Sequence, residues 1–326
     1  MMNTDLPRPA SELRPCFQPR RLGHANFFVR DYERAFEFYN RVSGFEEVYR
    51  QPDLPGSFLS NGNTYHDFAL TDLSCRFAPP GQQAGLFHLA FEVETEADLV
   101  EGYRASLAQG MPFDFCQDHD VAHSCYRTDP DGNMVEVYAD VIEDWRSARN
   151  GIVSGKKPVW VPGESNVPLT EPRYPKNPSL RTVEDSVFRG RRVTHVGLAT
   201  HKLEEMVAFY TAYLGLRIVA RSAGGAWALL GGTVADCTIS LFRAHDQLPA
   251  GFHHMGIEVA SEADLDRALT MLPKAGLSVE RDMDHPARRA ITIQDPDAIR
   301  LQFYVNRDWQ ATHLAGLSAQ DAPYVL

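Results

Sequence analysis

Two histidines and one glutamate stand in apolar segments, where ionisable side chains are uncommon. His24 lies in GHANFFV, His88 in FHLAFEV and Glu136 in NMVEVYAD. Two imidazoles and one carboxylate on one face of a divalent metal leave the opposite coordination positions open for substrate and oxygen. A lone strand histidine is more often structural, so the prediction of a metal site rests on the three residues together.

The strand that carries Glu136 follows the turn sequence DPDG at 129–132. Alternation along this strand puts Met134, Glu136 and Tyr138 on one face. A carboxylate in an apolar strand is costly unless it is paired or binds a metal, whereas on a solvated face it needs no partner. We favour the metal-binding interpretation.

Four further residues are candidates for proton chemistry at the same site. His66 lies in TYHDFAL, while His119, His123 and Tyr126 lie in QDHDVAHSCY. A neutral imidazole can take or give a proton near neutral pH, and a tyrosine hydroxyl can orient a substrate oxygen. Histidines in a polar run, such as His119 and His123, are by themselves more typical of solvated residues. Of these two, we favour His119 as the residue of the site.

The elements that must position these residues recur along the chain. Each repeat has an apolar strand that opens with histidine, an acidic turn and an amphipathic helix, with its apolar residues at helical spacing. The repeats are GHANFFVRDYERAFEFYNRVSGFEEV (23–48), FHLAFEVETEADLVEGYRASLAQGMPF (87–113), THVGLATHKLEEMVAFYTAYLGLRIV (194–219) and HHMGIEVASEADLDRALTMLPKAGLSV (253–279).

The ends of the predicted helices carry capping signals. Ser261 is the expected N-cap of the fourth helix, with Asp264 three residues later. A glycine follows each helix, where a residue with positive φ is favoured. These glycines are Gly44, Gly110, Gly215 and Gly276.

Spacing indicates that the chain is a duplication. His88 precedes Glu136 by 48 residues, and His254 precedes Gln302 by the same interval. Between the halves lies a segment with six prolines from Pro158 to Pro178 and little periodicity, typical of an extended linker. We therefore predict an N-terminal tail (1–20), a metal-bearing catalytic domain (21–142), a proline-rich linker (143–187), a second domain with a degenerate site (188–312) and a C-terminal tail (313–326).

Composition restricts the class of protein. The 326 residues carry a formal charge of −11 with no basic stripe, which argues against nucleic acid and anionic membranes as partners. Five cysteines without CxxC spacing indicate reduced thiols, and no apolar run resembles a signal peptide or a membrane span. We therefore expect a cytoplasmic protein.

These residues and intervals resemble the type I extradiol ring-cleavage dioxygenases of the vicinal oxygen chelate superfamily, the group that contains catechol 2,3-dioxygenase. The resemblance implies an α+β fold of four tandem βαβββ modules, arranged as two domains that each form a curved mixed sheet around a cleft. It assigns the metal ligands to His24, His88 and Glu136, and the acid–base histidine to the His66-Asp67 pair. The family tyrosine falls ten residues before the metal glutamate, which is Tyr126 here.

One further family histidine lies upstream of that tyrosine in a His-x-x-x-His arrangement, matched by His119 and His123. The second half departs from the family pattern, because Gln302 replaces the carboxylate and Thr292 replaces the tyrosine. A neutral amide is a weaker ligand for a divalent cation, so we expect the second half to be structural or a binding face. In most two-domain members the working site lies in the C-terminal half, so the order is reversed here.

The resemblance implies Fe(II) as the cofactor, with Mn(II) as an alternative, and a catechol-like substrate cleaved with O2 in aromatic catabolism by a homo-oligomeric enzyme. Two other functions remain open on the same fold. A glyoxalase-like lyase or isomerase would chelate vicinal oxygens without needing O2, and a drug-binding protein would need no metal at all.

Overall fold

The computed structural model describes residues 14–153, 157–314 and 316–326. In these ranges the strands form two mixed sheets, one of nine strands from the first half and one of eight strands from the second. No helix in the described part of the chain has both the length and the apolar character that a membrane crossing requires. The α+β fold class is confirmed.

The first sheet has the spatial order β6-β7-β8-β5-β1-β4-β3-β2-β9. Its strands are β1 (Arg21–Val29), β2 (Glu47–Arg50), β3 (Gly56–Leu59), β4 (Phe68–Asp72), β5 (Gly85–Glu92), β6 (Phe115–Asp118), β7 (Ala122–Thr128), β8 (Met134–Asp140) and β9 (Gly151–Ile152).

The second sheet has the order β11-β12-β13-β10-β14-β17-β16-β15. Its strands are β10 (Arg192–Thr200), β11 (Arg217–Arg221), β12 (Trp227–Gly231), β13 (Ile239–Arg243), β14 (Gly251–Glu258), β15 (Arg281–His285), β16 (Arg288–Gln294) and β17 (Arg300–Asn306). The helices are α1 (Tyr32–Phe38), α2 (Glu96–Ala108), α3 (Trp145–Ala148), α4 (Leu203–Ala208), α5 (Glu262–Met271), α6 (Ala311–Leu314) and α7 (Ala322–Val325).

Each sheet is built from two βαβββ modules, as predicted. In the first half, β1-α1-β2-β3-β4 is followed by β5-α2-β6-β7-β8, and the opening strands β1 and β5 pair antiparallel at the centre of the sheet. The second half repeats this arrangement, with β10 and β14 as the central antiparallel pair. The strands predicted to open with histidine are therefore neighbours in each sheet.

Local sequence explains where the module helices begin and end. The Ser261 hydroxyl accepts a hydrogen bond from the backbone N–H of Asp264, as the capping pattern predicts. The predicted helix of the first module is interrupted, because α1 passes into a π-helical turn at Tyr39–Ser43. Gly44 ends that turn at φ 86°, a conformation that favours glycine.

The described parts of both expected tails pack against the rest of the chain. Residues 313–326, expected as a tail, include α7 and end at the fully buried Leu326, because their apolar side chains cover the second sheet. The expected tail at 1–20 is described only from residue 14, and its Phe17 packs edge-on against Tyr213 of the second half. Residues 1–13 lie outside the described residues.

Candidate functional site

Strand register brings the three predicted metal ligands to one face of the first sheet. His24 on β1 pairs with Ala90 on β5, and Ala90 pairs in turn with Glu136 on β8. His88 lies two residues before Ala90 on the same strand, so its side chain points to the same face. Residues far apart in the sequence therefore converge across three adjacent strands.

The three side chains are close enough to share one ion. The Nε2 atoms of His24 and His88 lie 3.2 and 3.1 Å from Oε2 of Glu136. One ligand atom from each residue lies within 4.8 Å of the others, and all three residues are buried. Two nitrogens and one carboxylate oxygen form a donor set that fits a divalent first-row transition metal. In the described part of the chain, no second group of His, Cys, Asp or Glu side chains converges in this way.

The charge states also suit metal binding. Burial raises the pKa of Glu136, but the two imidazoles outweigh this effect and hold its pKa well below the usual range, so it is a carboxylate. Burial lowers the pKa of His88, which keeps that imidazole neutral with a lone pair for a metal.

Ser124 is a residue of this site that the sequence prediction missed. Its hydroxyl donates a hydrogen bond of 2.6 Å to Oε1 of Glu136. Ser124 and Tyr126 share one face of β7, and Tyr126 lies directly opposite Glu136 on β8. The sequence could have identified Ser124, because a residue two positions before Tyr126 on the same strand lies on the same face of the sheet.

His66 lies beside the three ligands, in the loop that leads into β4. The centres of the His66 and His24 rings are 4.1 Å apart, and Nδ1 of His66 is 3.1 Å from the Tyr49 hydroxyl. Burial and the neighbouring His24 lower the pKa of His66 well below its ordinary value, so the ring is neutral. Its sequence neighbour Asp67 instead accepts a hydrogen bond from the backbone of Val193, in the second domain.

His119 and Tyr126 reach the same pocket together. Nε2 of His119 is 2.8 Å from the Tyr126 hydroxyl. Burial, with a contribution from the Glu136 charge, raises the pKa of Tyr126 well above its ordinary value, so the phenol keeps its proton. Burial and the Lys157 charge lower the pKa of His119.

The structure does not bring His123 into this pocket. His123 is on β7, three residues before Tyr126, so its side chain lies on the opposite face of the sheet. It is buried rather than solvated, with Nδ1 2.6 Å from a carboxylate oxygen of Glu96 and its ring stacked on Trp160 at 4.5 Å. Of the two histidines offered by the sequence, only His119 lines the pocket.

The three ligands line one pocket together with His66, His119 and Tyr126. Two cations from the proline-rich segment, Arg149 and Lys157, also line it, although no periodic pattern in the sequence predicts their position. Aromatic rings form part of the remaining wall. They are Tyr49, Phe58 and Tyr65.

The corresponding position in the second domain holds a guanidinium group. Thr292 pairs with Gln302 across β16 and β17, as Tyr126 pairs with Glu136 across β7 and β8. Nη1 of the fully buried Arg288 lies 3.2 Å from Oε1 of Gln302 and 3.1 Å from Nε2 of His195. A fixed positive charge thus lies where the first domain has its three ligands.

Comparison with known proteins extends over most of the chain. The family model of the Glyoxalase/Bleomycin resistance protein/Dioxygenase superfamily matches residues 21–137 and 192–303. The catechol-2,3-dioxygenase of Bacillus subtilis (strain 168) is 25% identical over 284 residues, which are 84% of this chain and 93% of that protein. Biphenyl-2,3-diol 1,2-dioxygenase 3 of Rhodococcus globerulus is 32% identical over 128 residues, which are 37% of this chain and 63% of that protein.

Solved structures share the two-domain fold. Homoprotocatechuate 2,3-dioxygenase from Brevibacterium fuscum, in complex with 3,4-dihydroxyphenylacetate, superposes with a TM-score of 0.64 at 18% identity, covering 93% of this chain and 84% of that one. The 2,3-dioxygenase LapB from Pseudomonas sp. KL28 gives 0.63 at 17% identity, covering 89% and 93%. At these identities the likeness concerns the fold.

Proposed function

The chain belongs to the glyoxalase/bleomycin resistance protein/dioxygenase superfamily, and from that membership we propose that its first domain is an extradiol dioxygenase. In the proposed reaction, a catechol-type ring is cleaved next to its diol and both atoms of O2 enter the product, a step in the breakdown of aromatic compounds. The observation that carries the proposal is the convergence of His24, His88 and Glu136 within 4.8 Å, in a pocket shared with His66 and Tyr126.

We propose Fe(II) as the metal, with Mn(II) as the alternative, held by His24, His88 and Glu136. When held there, a redox-active ion would supply the electron-transfer chemistry that activation of O2 requires. The chain contributes one negative charge through Glu136, which offsets part of the charge of the ion. Because burial lowers the pKa of His88, its neutral imidazole contributes a lone pair without adding charge.

His66 is the proposed acid–base residue. The Tyr49 hydroxyl engages its Nδ1 atom, which orients the ring and leaves Nε2 to exchange a proton with the reacting oxygens. Because burial and His24 keep the pKa of His66 low, the ring is neutral before the reaction. The proposed role is therefore to take a proton and return it as the ring opens.

Tyr126 and His119 are proposed to hold the substrate oxygens. The raised pKa of Tyr126 keeps its hydroxyl protonated, so it can donate a hydrogen bond to a ring oxygen. In this proposal Nε2–H of His119 donates to the Tyr126 oxygen at 2.8 Å, which leaves the hydroxyl hydrogen free for the ring oxygen. We do not assign a catalytic role to His123, because it lies on the other face of the sheet.

The test is reconstitution of the purified chain with Fe(II) under anaerobic conditions, followed by a panel of catechols in air. The proposal expects a yellow ring-fission product that forms with matching oxygen uptake. His24→Gln should abolish both signals, whereas the matched variant His195→Gln in the second domain should retain them. Turnover without O2 would instead favour a glyoxalase-like lyase, and a purified protein that neither holds nor needs metal would favour a binding protein.

The same preparation tests the assembly state. The expected homo-oligomer stays a prediction, which light scattering on the eluting protein would check.

A further inference from the structure

The proline-rich segment forms an isolated β-bridge with the edge strand β6 of the first sheet. Val159 forms an antiparallel bridge with Gln117 of β6. The backbone N–H of Asp118 donates to the carbonyl of Pro158 at 3.1 Å, and the N–H of Trp160 donates to the carbonyl of Cys116 at 3.4 Å. Residues 158–160 are thereby fixed beside the hairpin that carries His119 into the pocket.

Side chains fasten the same segment to the body of the domain. The Trp160 ring stacks on His123, and its Nε1 donates to Oδ1 of Asn166 at 2.8 Å. The Asn166 amide and the backbone N–H of Leu169 each donate to Glu96, both at 2.8 Å. His123, which lies outside the pocket, therefore belongs to the anchor that holds this segment in place.

Lys157 immediately precedes the anchored residues and lines the pocket. Its ammonium group is partly desolvated, because burial lowers its pKa while the Glu136 charge raises it. Lys157 is close enough to the site for its charge to lower the pKa of His66, His88 and His119. A cation is thus presented to whatever ring occupies the pocket.

In the described part of the chain, no carboxylate forms an ion pair with Lys157. The other cation of the pocket, Arg149, is engaged, since its Nη2 lies 2.9 Å from Asp120 and also donates to the carbonyl of His119. Glu136 is occupied by its two imidazole neighbours and by Ser124. A partly desolvated ammonium group without a protein counter-ion favours an anionic ligand, because leaving a buried charge unpaired is costly.

We infer that Lys157 selects the substrate by binding a carboxylate carried on the side chain of the catechol ring. The inference rests on the proposed function and names the substrate class of the same site, a catechol with a short acidic substituent. The anchored residues 158–160 are the positioning element for this contact.

The experiment compares two ligands of similar size that differ in charge. The probes are 3,4-dihydroxyphenylacetate and its methyl ester, assayed with the Fe(II)-reconstituted full chain and with its Lys157→Met variant. Loss of one charge-assisted hydrogen bond should lower the ratio of kcat/KM for the acid to kcat/KM for the ester about 10- to 100-fold. Lys157→Arg should restore most of the preference. Lys176→Met, which removes an exposed lysine of the same segment, should alter neither substrate.

Two results would overturn the inference. One is a wild-type chain that does not prefer the acid to the ester, and the other is a Lys157→Met variant that loses activity on both ligands equally. Anaerobic calorimetric binding of the two probes to both forms separates this inference from the function itself. If no catechol is cleaved, the proposed reaction is wrong. The inference about Lys157 is still tested by binding, because it requires that the acid bind more tightly than the ester and that Lys157→Met lose this difference.

Discussion

Ser124 donates a hydrogen bond to one oxygen of the Glu136 carboxylate, while the other oxygen faces both histidines. The Ser124 Oγ to Glu136 Oε1 distance is 2.6 Å, and Oε2 lies 3.2 Å from His24 and 3.1 Å from His88. Hydrogen bonds behind a metal ligand fix its orientation and basicity. Ser124 therefore determines which carboxylate oxygen is presented to an ion.

Ser124→Ala should weaken metal binding by about 10- to 100-fold, the usual effect of losing such a supporting hydrogen bond. Competition with a chelator of known affinity measures this change directly, without reference to turnover. Ser147→Ala, at an exposed position outside the pocket, is the control and should bind metal like the wild type. Unchanged metal affinity in Ser124→Ala would mean that the bond to Glu136 has no positioning role.

Glu136→Gln should lose metal and ring-cleavage activity together. The amide has nearly the shape of the carboxylate but removes the only negative charge among the three ligands, and the second domain has glutamine at this position. Metal analysis of the purified variant and oxygen uptake with catechol are the two measurements. Glu101→Gln, on the exposed face of α2, should retain both properties, and full iron content with full turnover in Glu136→Gln would refute the assignment.

Much of the site could be read from strand periodicity and internal repetition. The equal intervals in the two halves identify His88 as the equivalent of His254, and Glu136 as the equivalent of Gln302. Repeated modules of this kind place equivalent residues at equivalent strand positions. Alternation alone could also have removed His123 from the candidates, because it is an odd number of residues from Tyr126 on one strand.

Other parts of the site leave no local signal in the sequence. Lys157 reaches the pocket because Val159 pairs with Gln117 of an edge strand, 42 residues earlier, and nothing periodic in the proline-rich segment predicts that pairing. Arg288 occupies the second-domain position through contacts with Gln302 and with Leu326 at the far end of the described chain. Such placements depend on tertiary packing rather than on local propensity.

The two domains are joined by a matched pair of buried hydrogen bonds. The Tyr39 hydroxyl donates to Asp295 at 3.2 Å, and the Tyr210 hydroxyl donates to Asp129 at 2.9 Å. Both tyrosines belong to π-helical turns, and both aspartates lie in turns between the last two strands of a module. Burial raises the pKa of each aspartate from 3.8 to about 6.

This shift predicts that the two aspartates make folding less favourable as the pH rises. Below the unfolded-state pKa of 3.8 each carboxyl is protonated in both the folded and the unfolded chain. Its stabilising contribution to the free energy of unfolding is then fully present. Between that value and about 6 the unfolded chain ionises first, so stability is lost as the pH rises through the folded-state pKa. The loss is about 2 to 3 kcal/mol per carboxyl and is complete by about pH 7.

Urea unfolding across this pH range, in the wild type and in Asp129→Asn, measures the effect as a difference. The variant lacks the titrating group, so the stability of the wild type relative to the variant should fall as the pH rises from about 4.5 to about 7. Asp246→Asn, at an exposed position, should show no such trend. A constant or rising difference would contradict the raised pKa of Asp129.

Arg288 is the fixed cation of the second domain, and its removal should destabilise the fold. Its guanidinium group lies between the rings of Tyr304 and Trp309, at 3.9 and 4.2 Å, and Nη1 donates to Gln302 and to the carbonyl of Leu326. Because these acceptors are buried, leaving them unsatisfied is costly, and a stabilising cation–π contact is lost as well.

Arg288→Met keeps most of the side-chain volume while removing the charge and its hydrogen bonds. We expect the free energy of unfolding to fall by about 3 to 5 kcal/mol, whereas Arg217→Met, which breaks an exposed ion pair with Asp236, should cost less than about 1 kcal/mol. Urea unfolding of both variants gives the comparison. If Arg288→Met were as stable as the wild type, the guanidinium group would not be what holds His195 and Gln302 in place. Arg288 would then not be a structural substitute for a metal ion.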